Sequence, residues 1–502
     1  MNRRDFINMI STGAVLAPFS NSAFALPGRT EVKKSPEQLS KLPNILWICT
    51  DQQRYDIIAA LGNEYINTPH LDKLVETGMA FTHAYCQNPI CTPSRASFLT
   101  GYYPRPIRAC TNGNEKWENA APLITKTLTD IGYDCALAGK LHLSAAHNRI
   151  EPRPDDGYRV FHWSHHPHDS WPKGHAYEDW LRAQGTGGYN ALKKKNGEIP
   201  VKYHQTTWCA DRAIDFMKEK RKGPWLFSLN CFDPHPPLDP PKEYLDRFDI
   251  DSLPDIPFKP TDVEEHKKLK DVFYQSDCKK PDQRQAKKNL AKYWAMIELI
   301  DDNVGRLLDT LDKTGQRDNT FVIFTSDHGN MVGHHGLSAK GCRFYEGLMR
   351  VPLIMSLPGT VKQNVKNDAL VELVDIVPTL LQLTGLPVDK SMHGKSLLPQ
   401  LSKQIPPEKH RDRVYATYTN TLSHSEKDQP SYGTMIRTRR YKLANYHGTG
   451  VGQLFDLEKD PGEFVNLWDD PKHQLIKANL MMQSYDITVL ATNTGSPIVG
   501  RY

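Results

Sequence analysis

No stretch of this sequence is long and apolar enough for a permanent membrane span, no two cysteines form a CxxC pair, no long basic run occurs, and no segment repeats. Each absence removes a class of function. The apolar piece near the start, residues 9–19, is short and interrupted by Ser, Thr, Gly and Pro, so no spanning helix is expected in the mature chain. Nine cysteines, at 49, 86, 91, 110, 135, 209, 231, 278 and 342, lie far apart. That spread argues against a zinc site and a dense disulfide framework, and it leaves one or two disulfides open. Cys49, Cys135 and Cys231 fall inside apolar runs and read as buried thiols. Lys and Arg exceed Asp and Glu by only 63 to 58, so nucleic acid is not an expected partner. A few basic side chains facing an anionic substrate account for the excess.

What is there is an ordinary globular composition, 39% hydrophobic and 24% charged over 502 residues, enough for one large and one small lobe. The start carries Asn2-Arg3-Arg4-Asp5-Phe6-Ile7, the apolar piece, and then Ser22-Ala23-Phe24-Ala25. This pattern resembles a twin-arginine signal with a small-residue cleavage site after Ala25. Residues 1–25 are thus expected to be a signal peptide, and the chain an exported bacterial protein, periplasmic or extracellular.

Several short apolar runs end in polar residues of a catalytic kind. Residues 44–49 lead into Asp51, residues 133–138 into Lys140 and His142, residues 225–231 into His235, and residues 320–324 into Asp327. Such runs suit strands buried on both faces of a mainly parallel sheet, which binds ligands at its carboxyl edge. Helical spacing separates them. Thr68-Pro69 opens one helix that Gly78 closes, apolar residues from Leu290 to Leu311 keep a three-or-four spacing up to Gly315, and a helix over 371–383 is expected to kink at Pro378. From His235 to about Asp282 the chain is rich in Pro, Asp and Lys and reads as a long surface excursion. Residues 413–418, 433–437, 441–446 and 453–457 read as short antiparallel strands. The expected fold is α/β: a large, mainly parallel, doubly wound sheet flanked by helices over residues 26–400, and a smaller C-terminal lobe on a short antiparallel sheet over residues 401–502.

Cys91-Thr92-Pro93-Ser94-Arg95, followed by residues 96–104, is the most informative stretch. Pro93 suits the first turn of a helix and Gly101 its end, which sets Cys91 just before a helix N-terminus. Free backbone N–H groups and the positive end of the helix dipole make that position an anion site, and Arg95 adds a charged fork. The stretch resembles the modification site of the type I sulfatases of the alkaline-phosphatase superfamily, in which the cysteine is oxidised to formylglycine. Phe455-Asp456-Leu457-Glu458-Lys459-Asp460-Pro461-Gly462-Glu463, with Asn466-Leu467, resembles the C-terminal block of the same family. The resemblance covers most of the chain. It implies a sulfuric ester hydrolase acting on a sulfated carbohydrate, and a maturation enzyme that generates the formylglycine. Because twin-arginine transport carries folded proteins, Cys91 is expected to be converted before export.

The same resemblance implies a divalent metal held by Asp51, Gln52, Asp327 and His328 together with residue 91. Many relatives carry two aspartates at the first pair and Asp-Asn at the second, where Gln52 and His328 stand here. Oxygen ligands favour calcium, whereas the histidine nitrogen keeps magnesium or manganese open. Gly139-Lys140-Leu141-His142-Leu143 resembles the family's lysine and histidine pair, although Leu141 replaces a frequent Trp and Ser144 a frequent Gly. Asp233-Pro234-His235-Pro236 resembles the segment of the leaving-group acid, and Lys340 a sulfate-binding lysine. The implied roles are charge compensation by Arg95, Lys140 and Lys340, protonation of the departing alcohol by His235, and removal of a proton from the second hydroxyl of the hydrated aldehyde by His142. A phosphonate monoester or phosphodiester hydrolase of the same superfamily is the alternative, and a catalytically silent sulfated-glycan binder a further one. Residues 162–171, with His175, Tyr177 and Trp180, are rich in His and Trp and suit a substrate loop, with a metal-binding tract or a solvated loop equally open.

Overall fold

The near-continuous apolar runs form strands buried on both faces. Nine strands make one sheet in a computed structural model that describes residues 34–492 except 119, 168–169 and 421–429. The signal peptide expected over residues 1–25 lies outside the described residues. In chain order the strands are β1 (Asn44–Thr50), β2 (Met79–Tyr85), β3 (Asp134–Gly139), β4 (Tyr158–Trp163), β5 (Trp225–Asn230), β6 (Thr320–Ser326), β7 (Arg350–Val351), β8 (Leu353–Ser356) and β9 (Val365–Glu372). Their spatial order is β4-β3-β5-β1-β6-β8-β2-β7, with β9 beside β2. Pairing is parallel from β4 through β3, β5 and β1 to β6, and between β2 and β9. It is antiparallel where β8 meets β6 and β2, and where β7 meets β2. The mainly parallel α/β sheet expected from the sequence is present.

Alternation along β1 sends its side chains to opposite faces. Ile45, Trp47 and Cys49 enter one core cluster with the helices Cys91–Thr100 and Ile376–Leu383. Leu46 and Ile48 enter another with the helices Pro69–Glu76, Gln205–Lys218 and Gln283–Lys313. The sheet is therefore covered on both faces. The register pairs Thr50 with Ser326, and Asn230 with both Cys49 and Gly139. Four parallel strands thus end level, and the chain leaves them at Asp51, Lys140, Cys231 and Asp327, on one edge.

The helix Cys91–Thr100 has all ten residues buried, so its polar side chains must find partners within the fold. Ser97 and Thr100 donate to the carbonyls of Pro93 and Ala96 at 2.9 and 2.7 Å. Gly101, at φ +81°, ends the helix as expected, its N–H reaching the Ser97 carbonyl at 2.8 Å. Cys91 is the first helical residue rather than the one before it. Ile90 holds the extended cap position, which moves Pro93 to the third place, where a missing N–H costs no bond.

Two other expectations need correction. Residues up to Glu372 belong to β9, and the helix that follows is only Ile376–Leu383. Pro378 lies in its first turn, where no intrahelical N–H is needed, so it causes no kink. The excursion after His235 contains the helix Pro260–Lys268, and its Asp262 and His266 are buried.

Strands β10 (Arg413–Thr419), β11 (Tyr432–Thr438), β12 (Tyr441–Tyr446) and β13 (Val451–Asp456) form the small antiparallel sheet, against which the helix Gln474–Leu490 packs Leu480. Buried charges tie it to the large sheet. Lys442 pairs with Glu346 at 3.0 Å and also with Glu463, and Arg411 bridges Glu372 and Asp375. All nine cysteines are free thiols. Among the described residues no helix is long and apolar enough to cross a membrane.

Gly139 ends β3 at φ +108°, and a Cβ there would lie 1.9 Å from the Asn230 carbonyl oxygen. That same oxygen accepts the Lys140 N–H at 2.8 Å. Gly139→Ala is therefore expected to lose about 2–4 kcal/mol of unfolding free energy and to displace Lys140. Denaturant unfolding and steady-state rates check this, and a variant of wild-type stability contradicts it.

Candidate active site

Every sequence-predicted site residue lies at the carboxyl edge. The thiol of Cys91 is its centre. Lys340 Nζ donates to Cys91 Sγ at 2.9 Å, His328 Nε2 lies 3.2 Å from it, and Asp51 Oδ1 lies 3.7 Å away. Ligand atoms of Asp51, Cys91, Asp327 and His328 all fall within 4.8 Å of one another, and all four residues are buried. His328 Nδ1 lies 2.8 Å from the Gly329 carbonyl; donating there leaves Nε2 a bare acceptor aimed at the thiol.

Gln52, the fifth expected ligand, is also buried, at φ +68°. Its N–H donates to Asp327 Oδ1 at 3.1 Å, and its side-chain oxygen accepts from Asn330 Nδ2 at 2.8 Å. Asp327 is held further by the His328 N–H at 2.9 Å.

Three cations surround the two carboxylates. Arg95 Nε donates to Asp327 Oδ2 at 2.9 Å and Nη1 to the Lys140 carbonyl at 2.9 Å. Arg95 Nη2, 3.6 Å from Asp51 Oδ2, makes no hydrogen bond although it is buried, so one arm of the fork remains for a ligand oxygen. Lys140 Nζ donates to Asp51 Oδ2. Burial alone would raise the Asp51 carboxyl, but Lys140, His235 and Lys340 hold it well below the usual carboxylate range. Burial and Asp51 push the Cys91 thiol up, and Lys140 and Lys340 outweigh them, so it falls below its ordinary value. The site stabilises negative charge on residue 91 and on anything bound to it.

The two histidines flank this centre. His235 Nδ1 lies 2.6 Å from the Pro236 carbonyl, which turns Nε2 toward Lys340 Nζ at 3.3 Å. His142 sits at φ +57°, a left-handed conformation that needs support. Burial and the neighbouring lysines, Lys140 for His142 and Lys340 for His235, push both imidazoles well below their ordinary value, so both favour the neutral form.

Sequence reasoning missed the support for His142. Glu151, buried, accepts the N–H groups of His142, Leu143 and Ser144 at 2.8, 2.5 and 3.0 Å, and the Trp163 indole N–H at 2.9 Å. No motif marks Glu151. It also missed Asn112, whose side-chain oxygen accepts the Thr92 N–H at the start of the cysteine helix at 2.9 Å, and Asn330, signalled only by its place two residues after His328. In the His- and Trp-rich segment, Trp171 stacks on His175 at 4.6 Å, and His175 occupies the position before the helix Ala176–Ala183, so that half serves packing. His165 and His166 reach the site instead. His168 and Asp169 lie outside the described residues.

The family model described as Sulfatase matches residues 43–386, and one described as N-sulphoglucosamine sulphohydrolase, C-terminal, matches residues 333–489. An arylsulfatase of Clostridium perfringens is 30% identical, over 86% of this chain and 91% of that protein. An N-acetylglucosamine-6-O-sulfatase of Bacteroides thetaiotaomicron is 26% identical, over 93% of this chain and 88% of that protein. The solved structure of a phosphonate monoester hydrolase of Agrobacterium radiobacter superposes with a TM-score of 0.73 at 25% identity, covering 89% of this chain and 96% of that one.

Replacing the Glu151 carboxylate by an amide points an NH2 group at N–H donors and strands two of them. Glu151→Gln is expected to cost about 2–6 kcal/mol of stability, at roughly 1–3 kcal/mol per stranded donor, and to lower the rate by releasing His142. Denaturant unfolding checks the first and steady-state kinetics the second. Wild-type values in both would contradict this account of the loop.

Proposed function

We propose that this chain, which belongs to the sulfatase family and is a sulfuric ester hydrolase, removes sulfate from a sulfated carbohydrate through a formylglycine made from Cys91. The observation that carries the reading is the placement of the residue-91 side chain at a helix N-terminus, 2.9 Å from Lys340 Nζ, between two buried carboxylates and three buried cations. Cys91 Sγ stands where the oxygens of a hydrated aldehyde would lie. Such a hydrate supplies one hydroxyl to take up the sulfuryl group and a second whose deprotonation expels sulfate.

The donor set fits a divalent cation. Two carboxylates and a bare imidazole nitrogen converge on the residue-91 side chain, with the Gln52 amide buried beside them. Asp51, Gln52, Asp327, His328 and residue 91 would hold the ion, calcium by its preference for oxygen, with magnesium or manganese as the other choices. When bound it lowers the pKa of the attacking hydroxyl and screens the sulfuryl oxygens.

The chain's own residues then divide the work. Arg95, through its unbonded Nη2, and Lys140 and Lys340 bind the anionic group and offset charge as it develops. His235, protonated once the anionic ester is bound and with its Nδ1–H held by the Pro236 carbonyl, donates a proton from Nε2 to the departing alcohol oxygen. His142, steadied by Glu151, takes the proton from the second hydroxyl.

A carbohydrate substrate is supported by the likeness to an N-acetylglucosamine-6-O-sulfatase. Export by the twin-arginine route to the periplasm or beyond is supported by the sequence of residues 1–25. It entails a formylglycine-generating partner in the cytoplasm. The second reading, a phosphonate monoester or phosphodiester hydrolase, is favoured by the likeness to the Agrobacterium enzyme. Rates on the sulfate and the phosphonate ester of one aryl alcohol separate the two, and a higher rate on the phosphonate would favour the second.

His235→Ala tests the division of labour. It is expected to slow N-acetylglucosamine 6-sulfate, whose alcohol leaves poorly, by about 100-fold or more, and 4-nitrophenyl sulfate far less, because the phenolate departs without a proton. Equal losses on both esters would remove His235 from the acid role.

A further inference from the structure

In the cycle proposed above, His235 loses a proton to the departing alcohol and His142 gains one as sulfate leaves. Each turnover therefore ends with the acid lacking a proton and the base carrying one. Both lie in a site whose other members are buried.

Two further imidazoles lie between them. His165 is 3% exposed, and neither of its ring nitrogens has a hydrogen-bond partner. Nδ1 of His142 is likewise buried without a partner. The two rings meet edge to face with centroids 4.5 Å apart. His166 follows, 4.6 Å from His165 and 5.0 Å from His235. Phe232 closes the other side, 4.6 Å from His166 and 4.5 Å from His235. His165 is fixed by its backbone, whose N–H donates to His175 Nε2 at 2.8 Å, and by Trp171 at 5.9 Å. The ring is thus held while both its nitrogens remain open. A buried polar atom left so is costly unless a hydrogen bond or a bridging water reaches it, and neighbouring rings along this row meet edge to face.

We propose that His165, together with His166, relays the proton from His142 back to His235, so that the base of the second step recharges the acid of the first. The proposal rests on the roles given above to His142 and His235. A neutral imidazole suits the task because it accepts at one nitrogen and donates from the other. When His142 takes a proton at one nitrogen, the bond at Nδ1 breaks as a bond forms to His165 or to a water between them. The same exchange at His165 and His166 delivers a proton to His235 Nε2. One N–H bond forms for each that breaks, and no co-reactant besides water enters. His165 acts through His142 and is a positioning and relay residue.

Two substitutions separate a relay from packing. His165→Phe keeps a flat ring in place and removes both nitrogens, whereas His165→Ala opens space for free imidazole. On N-acetylglucosamine 6-sulfate, kcat is expected to fall about tenfold or more in both variants with KM little changed. Added imidazole is expected to restore the alanine variant in proportion to its concentration and to leave the phenylalanine variant unaffected. A phenylalanine variant with wild-type kcat, or a folded alanine variant that imidazole does not help, would overturn the relay. Should the alanine variant fail to fold, the proton inventory in mixed light and heavy water decides: a curved wild-type plot that becomes linear in His165→Phe supports the relay, and unchanged curvature overturns it. His142→Ala run alongside keeps the two levels apart. It is expected to release one equivalent of sugar in a burst and then turn over slowly. No burst there would refute the role of His142 itself, whereas a burst there beside an unaffected His165→Phe would refute only the relay.

Discussion

Two carboxylates, Asp51 and Asp327, are completely buried at the carboxyl edge of the large sheet, and the fold closes only because three cations are buried with them. Removing such charges from water costs several kcal/mol each unless partners of opposite sign lie within reach. Arg95 meets that requirement from the cysteine helix and Lys140 from the end of β3, while Lys340, from the loop after β6, bonds the Cys91 thiol and adds its charge near Asp51. The ion pairs thereby pin the helix bearing Cys91 to strands β1 and β6. Three cations against two carboxylates leave one positive charge unmatched beside the residue-91 side chain. That surplus is what an anionic ester would meet.

Topology decides which residues share this edge. β1 lies between two parallel neighbours, so the residues that follow β1 and β6 emerge side by side, and β5 and β3 extend the row to His235 and Lys140. A one-residue slip of any of these strands would exchange its two faces and turn its polar end away. The small sheet is fastened by the same kind of buried pairing. Lys442, between Glu346 and Glu463, helps hold the Glu346 carboxyl down to about 2 against the burial that would raise it. Buried charge thus fixes both the site and the attachment of the second sheet.

Much of this was legible in the sequence because strands buried on both faces leave an unbroken apolar signature. The runs before Asp51, Lys140, His235 and Asp327 became β1, β3, β5 and β6, and Gly101 ended the cysteine helix as read. The family resemblance supplied the rest of the site. What stayed hidden depended on contacts distant in the chain or on local context. Glu151 has no periodic or motif signal, and its meaning lies in four N–H groups that the fold brings to it. Pro378 reads as a kink in the sequence because apolar residues continue on both sides of Glu372 and Asp375 from β9 into the following helix, and sequence alone does not show where one period gives way to the other. The His- and Trp-rich segment mixed two jobs. Trp171 and His175 stack to build the loop, while His165 and His166, in the same composition, face the site.

The account turns on the identity of residue 91. Mass spectrometry of the peptide containing that residue, taken from enzyme of measured specific activity produced with and without a formylglycine-generating enzyme, tests it most directly. The expected result is a peptide whose mass corresponds to an aldehyde in place of the thiol, with specific activity proportional to the converted fraction. Full activity from protein whose peptide carries only unmodified Cys91 would contradict it.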